Sequence, residues 1–358
     1  MPVSLLLNVA YDWVPPFKLH TLHIGGCRVG HGFWALIQSQ TELVYISLYN
    51  TFISDSIEKW LSKISSKVKY LDLSYNNFSG RLPLQLKFPK LQIIRLGHNQ
   101  LEGPLPLWPT NVNILDLQSN SFSGPIPSNL DQLMQELNSL DVSENNLNST
   151  IPLSICNMQN MARISLSINQ LFGEFPQRWS LWSVIQLIDV SYNNLSGTIL
   201  NSMGIPFSLM VFKANNNNFS GTISKCLKSL TCLVEDSGRC HDDSIRFESY
   251  YGKTTIISKG KELEYEDYQL TAWGDMIDLS SNNFEGEIPE QVLLSRPNSP
   301  STILSALGPP LCPHSFVSGS SRATSQWVTH PGIALAPNSL NFGVPKNPKP
   351  VSSQKASC

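Results

Sequence analysis

Side chains suited to chemistry at a surface fall into three sets in this chain. Tyr45, Tyr49, Tyr75, Arg95, His98, Arg163, Tyr192 and Lys213 supply aromatic faces, cations and an imidazole. Tyrosine and arginine are the types most enriched where partners bind tightly. Asp72, Asp116, Asp141, Asp189 and Asp278 make a second set, a column of carboxylates. Cys226, Cys232 and Cys240, with His241, Asp242 and Asp243 beside them, make the third. Their spacing matches no standard zinc pattern, so the expectation is a local disulfide whose pairing stays open, with a zinc site as the alternative. No G-x-S-x-G, H-E-x-x-H, phosphate-loop or kinase signature occurs, and the seven histidines are scattered. The reading is therefore a chain that binds rather than catalyses, with no cofactor and no metal.

What positions these residues is a period. The run Val68-Lys69-Tyr70-Leu71-Asp72-Leu73-Ser74-Tyr75-Asn76-Asn77-Phe78-Ser79-Gly80-Arg81-Leu82-Pro83 gives the frame, and it returns with asparagines at Asn99, Asn120, Asn145, Asn169, Asn193, Asn217 and Asn282. Two degenerate copies precede it, with Cys27 and Thr51 in the asparagine slot. Successive spacings are 24, 25, 23, 21, 25, 24, 24 and 24 residues, then one of 65. Such a period marks a leucine-rich solenoid. Each x-L-x-L-x segment alternates, so Leu71 and Leu73, Leu115 and Leu117, or Ile188 and Val190 point inward from a short strand. Stacked copies make a parallel concave sheet. The recurring asparagine sits at an inward turn, where its amide can satisfy backbone groups otherwise buried unpaired. The following [LF]-x-G-x-[IL]-P closes the convex side as a second short strand and a 3-10 turn. These tyrosines and cations occupy outward slots of the strands and turns. The aspartates come from the repeat pattern and read as scaffold, bonded to neighbouring serines or backbone, rather than as an acid–base site.

The bulk numbers set the class. A net charge of −2 and a pI near 6.4 leave no basic face for nucleic acid. Charged residues are only 15% of the chain, and Asn, Ser and Gly fill the surface, as suits an extracellular glycoprotein. Four N-x-[ST] acceptors, Asn77, Asn148, Asn194 and Asn218, fit that compartment, although the repeat consensus generates such triplets by itself. No window of about 20 apolar residues encodes a membrane span, and the N-terminal apolar run is a poor signal peptide.

The run L-D-L-S-x-N-x-[LF]-S-G-x-[IL]-P closely resembles the plant extracellular leucine-rich repeat. Asp12-Trp13-Val14-Pro15-Pro16-Phe17-Lys18-Leu19, the repeat with Cys27 and then Thr41-Glu42-Leu43, and the 65-residue gap carrying Lys259-Gly260-Lys261-Glu262-Leu263-Glu264-Tyr265 all resemble plant receptor-like proteins of the elicitor- and xylanase-responsive immune type. The resemblance covers about residues 8–292. It implies an ectodomain at the plasma membrane's outer face, binding a protein, peptide or glycan elicitor and signalling through adaptor and co-receptor kinases in the full-length family. Relative to that family the chain departs at both ends and reads as truncated.

The expected organisation is a partial N-terminal flank (1–16), about nine repeats (17–223), a non-repeat island (224–273), one further repeat (274–294) and a Ser/Pro-rich disordered tail (295–358). Tyr250, Tyr251, Lys259, Lys261 and Tyr265 make the island a second candidate surface, with a folded spacer as the plainer alternative. A secreted inhibitor similar to polygalacturonase-inhibiting proteins is the competing function, though those compact proteins have neither the island nor the D-W-V-P-P-F segment. A non-functional truncated product is the third possibility.

Overall fold

The computed structural model describes residues 6–10, 13–30, 32–62, 64–83, 88–106, 108, 111–179, 182–199, 208–222 and 276–286, together with the backbone of strands 253–258, 261–266, 302–307 and 327–329. Cys226, Cys232, Cys240, His241, Asp242, Asp243, Tyr250, Tyr251 and Lys259 lie outside this set.

One long sheet runs through the molecule. Its parallel strands follow chain order from Thr21–His23 through Tyr45–Ser47, Tyr70–Asp72, Ile93–Arg95, Ile114–Asp116, Ser139–Asp141, Arg163–Ser165, Leu187–Asp189 and Val211–Lys213 to Met276–Ser280. The pairing never slips: Leu71 lies opposite Ile46 and Ile94, and Ile188 opposite Ile164 and Phe212. These central residues are 2% exposed or less, as are Leu73, Leu96, Leu117 and Val190. A one-residue slip would turn that whole row to solvent, so burial itself fixes the alignment.

The inward asparagines hold the next layer. Asn76 Oδ1 accepts the Ile53 and Thr51 backbone N–H at 3.0 and 3.1 Å, while its Nδ2 donates to the carbonyls of Leu48, Leu73 and Ser74 at 2.7, 3.0 and 3.1 Å. Asn145 repeats the scheme, taking the Phe122 N–H at 2.9 Å and giving to Leu117 and Val142 at 3.1 Å. Each bond set joins one coil to its predecessor. Thr51, in the asparagine slot of a degenerate copy, keeps one arm: its hydroxyl donates to the Leu48 carbonyl at 3.1 Å.

The insertion does not interrupt this stack. Met276–Ser280 pairs directly with Val211–Lys213, and Asn282 takes the Phe219 N–H at 3.0 Å and donates to Ala214 at 2.9 Å. The chain between Thr222 and Met276 is therefore inserted between two coils whose strands are directly paired. Within it Lys253–Ser258 and Lys261–Glu266 form an antiparallel hairpin, which holds Lys261 and Tyr265.

Short outer strands follow each asparagine, and here the period fails once. Two separate four-stranded ladders form, one over Ser79–Arg81, Gln100–Gly103, Ser121–Gly124 and Asn146–Leu147, the other from Phe172–Glu174 to Asn283–Glu285. The break falls at the one coil with Ser149 where its neighbours carry Gly124 and Gly173. Those glycines have φ of +84° and +80°. Serine does not adopt that backbone readily; its hydroxyl instead accepts the Ile126 N–H at 3.1 Å. Short helical turns, among them Ile57–Leu61 and the 3-10 turn Leu153–Asn157, complete the outer side. Trp108 and Trp182 are buried there, their indole N–H groups donating to Pro83 and Ile155 of the preceding coil.

Within 295–358, read from sequence as a disordered tail, Thr302–Leu307 pairs parallel with Met276–Ser280, and Trp327–Thr329 pairs antiparallel with Thr302–Leu307. Leu304 aligns with Ile277 and Ala306 with Leu279. The alignment continues the register of the long sheet.

Each coil also requires a left-handed residue just before its asparagine. Asn50, Tyr75, His98, Ser119, Glu144, Ile168, Tyr192, Asn216 and Ser281 have φ between 52° and 57°. For β-branched Ile168 that conformation is costly. Replacing Ile168 by Asn, which occupies the slot at Asn50 and Asn216, is expected to stabilise the chain by about 1 kcal/mol in urea melts. Asn145→Ala is expected to destabilise it by on the order of 1–3 kcal/mol for each backbone group left unpaired. The exposed neighbour substitution Asn146→Ala should stay within about 0.5 kcal/mol of the parent in the same assay.

Candidate ligand-binding face

The outward side of the long sheet carries two rows set by its pairing. Along the first, Ser47, Asp72, Arg95, Asp116, Asp141, Ser165, Asp189, Lys213 and Asp278 lie side by side on successive strands. Charges about 4.8 Å apart in a partly desolvated row must be compensated. Lys213 Nζ meets Asp189 at 3.0 Å, and Arg163, from the neighbouring row, approaches Asp141 at 3.8 Å. Arg95 donates to the Tyr70 hydroxyl at 3.0 Å with its guanidinium 5.7 Å from that ring's centroid. Three of the cations expected to meet a partner, Arg95, Arg163 and Lys213, are thus only 8%, 5% and 7% exposed and stand within the sheet's own charge lattice.

The carboxylates are tied down as scaffold. Ser74, Ser143, Ser191 and Ser280 each donate both backbone N–H and hydroxyl to Asp72, Asp141, Asp189 and Asp278, the hydroxyl contacts spanning 2.5 to 2.7 Å. Asp116 lacks this partner, because Gln118 stands in the serine slot and gives only its N–H, at 3.1 Å. Burial, reinforced by the Asp141 charge, pushes the Asp116 carboxyl up to about 7. Burial likewise holds the Tyr70 phenol protonated far above its ordinary range.

Aromatic residues gather at one end of the face. Tyr45 stacks on Tyr70 with centroids 4.0 Å apart, Tyr75 stacks on His98 at 4.0 Å, and Tyr49 meets Tyr75 at 5.0 Å. The expected residues Tyr49, Tyr75 and His98 therefore form one contiguous tract, and Tyr45 stands in a separate stack on Tyr70. Tyr192 lies further along, 42% exposed, at the rim of a shallow dish of about 90 Å3 lined also by Glu144, Arg163, Ile168, Lys213 and Asn215. Tyr70, Glu144, Ile168 and Asn215 are members of the face beyond the expected residues, and of these only Tyr70 has a residue type that marks it. All four occupy the same outward slots, six, two or one before the asparagine, so the period is the signal that locates them.

The four glycosylation acceptors Asn77, Asn148, Asn194 and Asn218 are exposed, and all follow the asparagine turn, away from the outward strand slots. Cys27 and Cys156 are buried thiols, and burial pushes the latter up to about 12. No group of three or more His, Cys, Asp or Glu is arranged for a metal among the described residues. Nor is any described helix long and apolar enough to cross a membrane.

Comparison with known proteins places this geometry. A family model described as Leucine Rich Repeat matches residues 67–88, 111–133 and 136–158. Receptor-like protein EIX2 of Solanum lycopersicum is 30% identical over 347 residues, covering 80% of this chain and 34% of that protein. The chain thus spans about a third of the length of such relatives. Among solved structures, the plant peptide hormone receptor RGFR1 in complex with RGF2 superposes with a TM-score of 0.61 at 22% identity, covering 85% of this chain and 45% of that one. The Arabidopsis receptor kinase HAESA, in complex with the peptide hormone IDA and the co-receptor SERK1, gives a TM-score of 0.50 at 27% identity over 59% and 36% of the two chains.

The Asp116 carboxyl carries a pH signature. Its folded value, about 7, lies above the ordinary 3.8, so the folded state holds this proton more tightly. Its contribution to stability is greatest below about pH 4 and is lost progressively as pH rises to about 7. Urea melts across that range should therefore show the parent losing stability relative to Asp116→Asn as pH rises, with the difference levelling off above pH 7.

Proposed function

Because the chain belongs to the plant leucine-rich-repeat receptor-like proteins, we propose that it is a ligand-recognising stretch of an extracellular receptor ectodomain that serves defence signalling. The observation that carries this reading is the row of solvent-facing side chains on a rigid sheet: Tyr49, Tyr75 and Tyr192 at 42%, 40% and 42% exposure, with His98 stacked among them. Large apolar rings are seldom left in water along one line of a fold unless a partner covers them. Their scaffold is preorganised, since the coils of Tyr75, His98 and Tyr192 are each pinned by a ladder asparagine, and little ordering entropy remains to be lost on binding.

The ligand is an extracellular protein, peptide or glycan elicitor. Tyrosine suits all three, because its ring packs on apolar faces while its hydroxyl bonds at the edge. Co-receptor kinases complete the signalling assembly, as the HAESA complex with its co-receptor suggests by analogy of fold and repeat. The chain acts by recognition and not by catalysis. Its expected place is the outer face of the plasma membrane, where the exposed acceptors Asn77, Asn148, Asn194 and Asn218 would carry glycans without covering the outward strand slots.

A surface-plasmon-resonance panel of extracellular peptides, oligosaccharides and secreted microbial proteins against the full chain tests this reading. Binding should fall at least about tenfold in Tyr75→Ala and Tyr192→Ala and be unchanged in Asn77→Gln. Binding that ignores the tyrosines refutes the assignment of the face. Stoichiometric inhibition of a fungal polygalacturonase would instead establish the inhibitor reading.

A further inference from the structure

The dish beneath Tyr192 is set apart from the stacked rings of Tyr49, Tyr75 and His98. It is lined by four carboxylates, from Asp141, Glu144, Asp189 and Asp278, against two cations, Arg163 and Lys213. Its wall is therefore net negative. A second observation is independent of charge: Asn215 lines the dish and is 3% exposed, and its side-chain Oδ1, shielded from water, has no hydrogen-bond partner among the described residues. In the same slot the adjacent coils carry Ser191 and Ser280, whose hydroxyls are consumed by Asp189 and Asp278. Asn215 has Lys213 where those coils have an aspartate, so no carboxylate on its own strand engages it. A buried amide oxygen left unpaired costs stability unless something donates to it.

We propose that this dish receives the arginine side chain of a peptide or protein ligand. The inference rests on the receptor reading above and narrows it to a basic determinant. A guanidinium has five donors in a planar fork and no acceptor, so it can serve a carbonyl oxygen and a carboxylate at once. Glu144 and Asn215 both line the dish and carry those two acceptor types, with one Glu144 oxygen also accepting from Gln118 at 3.3 Å. The exposed Tyr192 ring offers a face on which a guanidinium plane stacks. Ile168 and Leu187 supply apolar surface for the methylene stem. An acidic ligand group would meet net repulsion here, and a purely apolar one would leave the Asn215 oxygen unpaired.

The probes are the capped pentapeptides acetyl-Gly-Gly-Xaa-Gly-Gly-amide with Arg, Lys, Glu or Leu at the centre, titrated against the full chain by calorimetry. The Arg peptide should bind at least about tenfold more tightly than the Glu and Leu peptides and weaken with added salt. Glu144→Gln and Asn215→Ser should each weaken it by about five- to tenfold. Asn215→Ser restores the residue native to this slot elsewhere, so its melting curve should stay close to the parent's and fold loss is separable from site loss. The inference is overturned if the Glu, Leu or Lys peptide equals the Arg peptide, if none binds at millimolar concentration, or if neither substitution matters. Should it fail while another ligand still responds to Tyr75→Ala, the receptor reading survives and only the arginine assignment is lost.

Discussion

Everything in this molecule depends on a carboxamide turned inward at the end of each strand. A coil of about 24 residues has too little core to bury its own turn, and the turn's backbone N–H and C=O groups face the interior. The asparagine joins both needs: its oxygen takes an N–H of the preceding coil and its nitrogen gives to carbonyls of both coils. The bonding is therefore between neighbours as much as within one coil, which is the physical content of a one-dimensional solenoid. The stretch across the insertion demonstrates the strength of this constraint. Asn282 reaches Ala214 as its counterparts reach their neighbours, although 65 residues rather than about 24 separate it from Asn217.

The ladder explains which parts of the fold are legible in the sequence. Strand position, inward pairs such as Leu71 and Leu73, and the asparagine slot follow from a repeated local pattern, because each is imposed again in every coil. The break in the outer ladders is legible too, once Ser149 is seen to stand in a glycine slot whose neighbours have φ above +80° or at it. Thr302–Leu307 continues the register of the long sheet, but it is embedded in Ser- and Pro-rich sequence whose composition points the other way.

The candidate site is less legible, for a reason of geometry. A slot count places Arg95, Arg163 and Lys213 on the outward side, and there they are. Whether such a side chain meets solvent depends on what stands one strand away, and lateral neighbours come from coils more than 20 residues apart. Lys213 lies beside Asp189 and Arg163 beside Asp141 only because the sheet aligns those strands. Chain length matters as well: long cations bend over to reach a carboxylate, whereas the rigid rings of Tyr49, Tyr75 and Tyr192 remain upright at about 40% exposure. Of the expected residues, the aromatic ones face water and the cationic ones are absorbed by the lattice.

That division follows from the backbone. The residue before each asparagine must take φ near +55° so that the next side chain can turn inward. In this conformation its own side chain is excluded from the core, and none of the nine residues in the slot is buried. Packing therefore exerts almost no selection on its identity. Along one chain the slot holds Asn, Tyr, His, Ser, Glu, Ile, Tyr, Asn and Ser in turn, while the asparagine beside it does not change from Asn76 to Asn282. The strained position is the price of the ladder, and it yields a row of variable side chains at the edge of a rigid sheet. A fold that fixes one residue per coil leaves its neighbour free to specify a ligand, and in this chain that neighbour is where Tyr75, Tyr192, Glu144 and Ile168 are found.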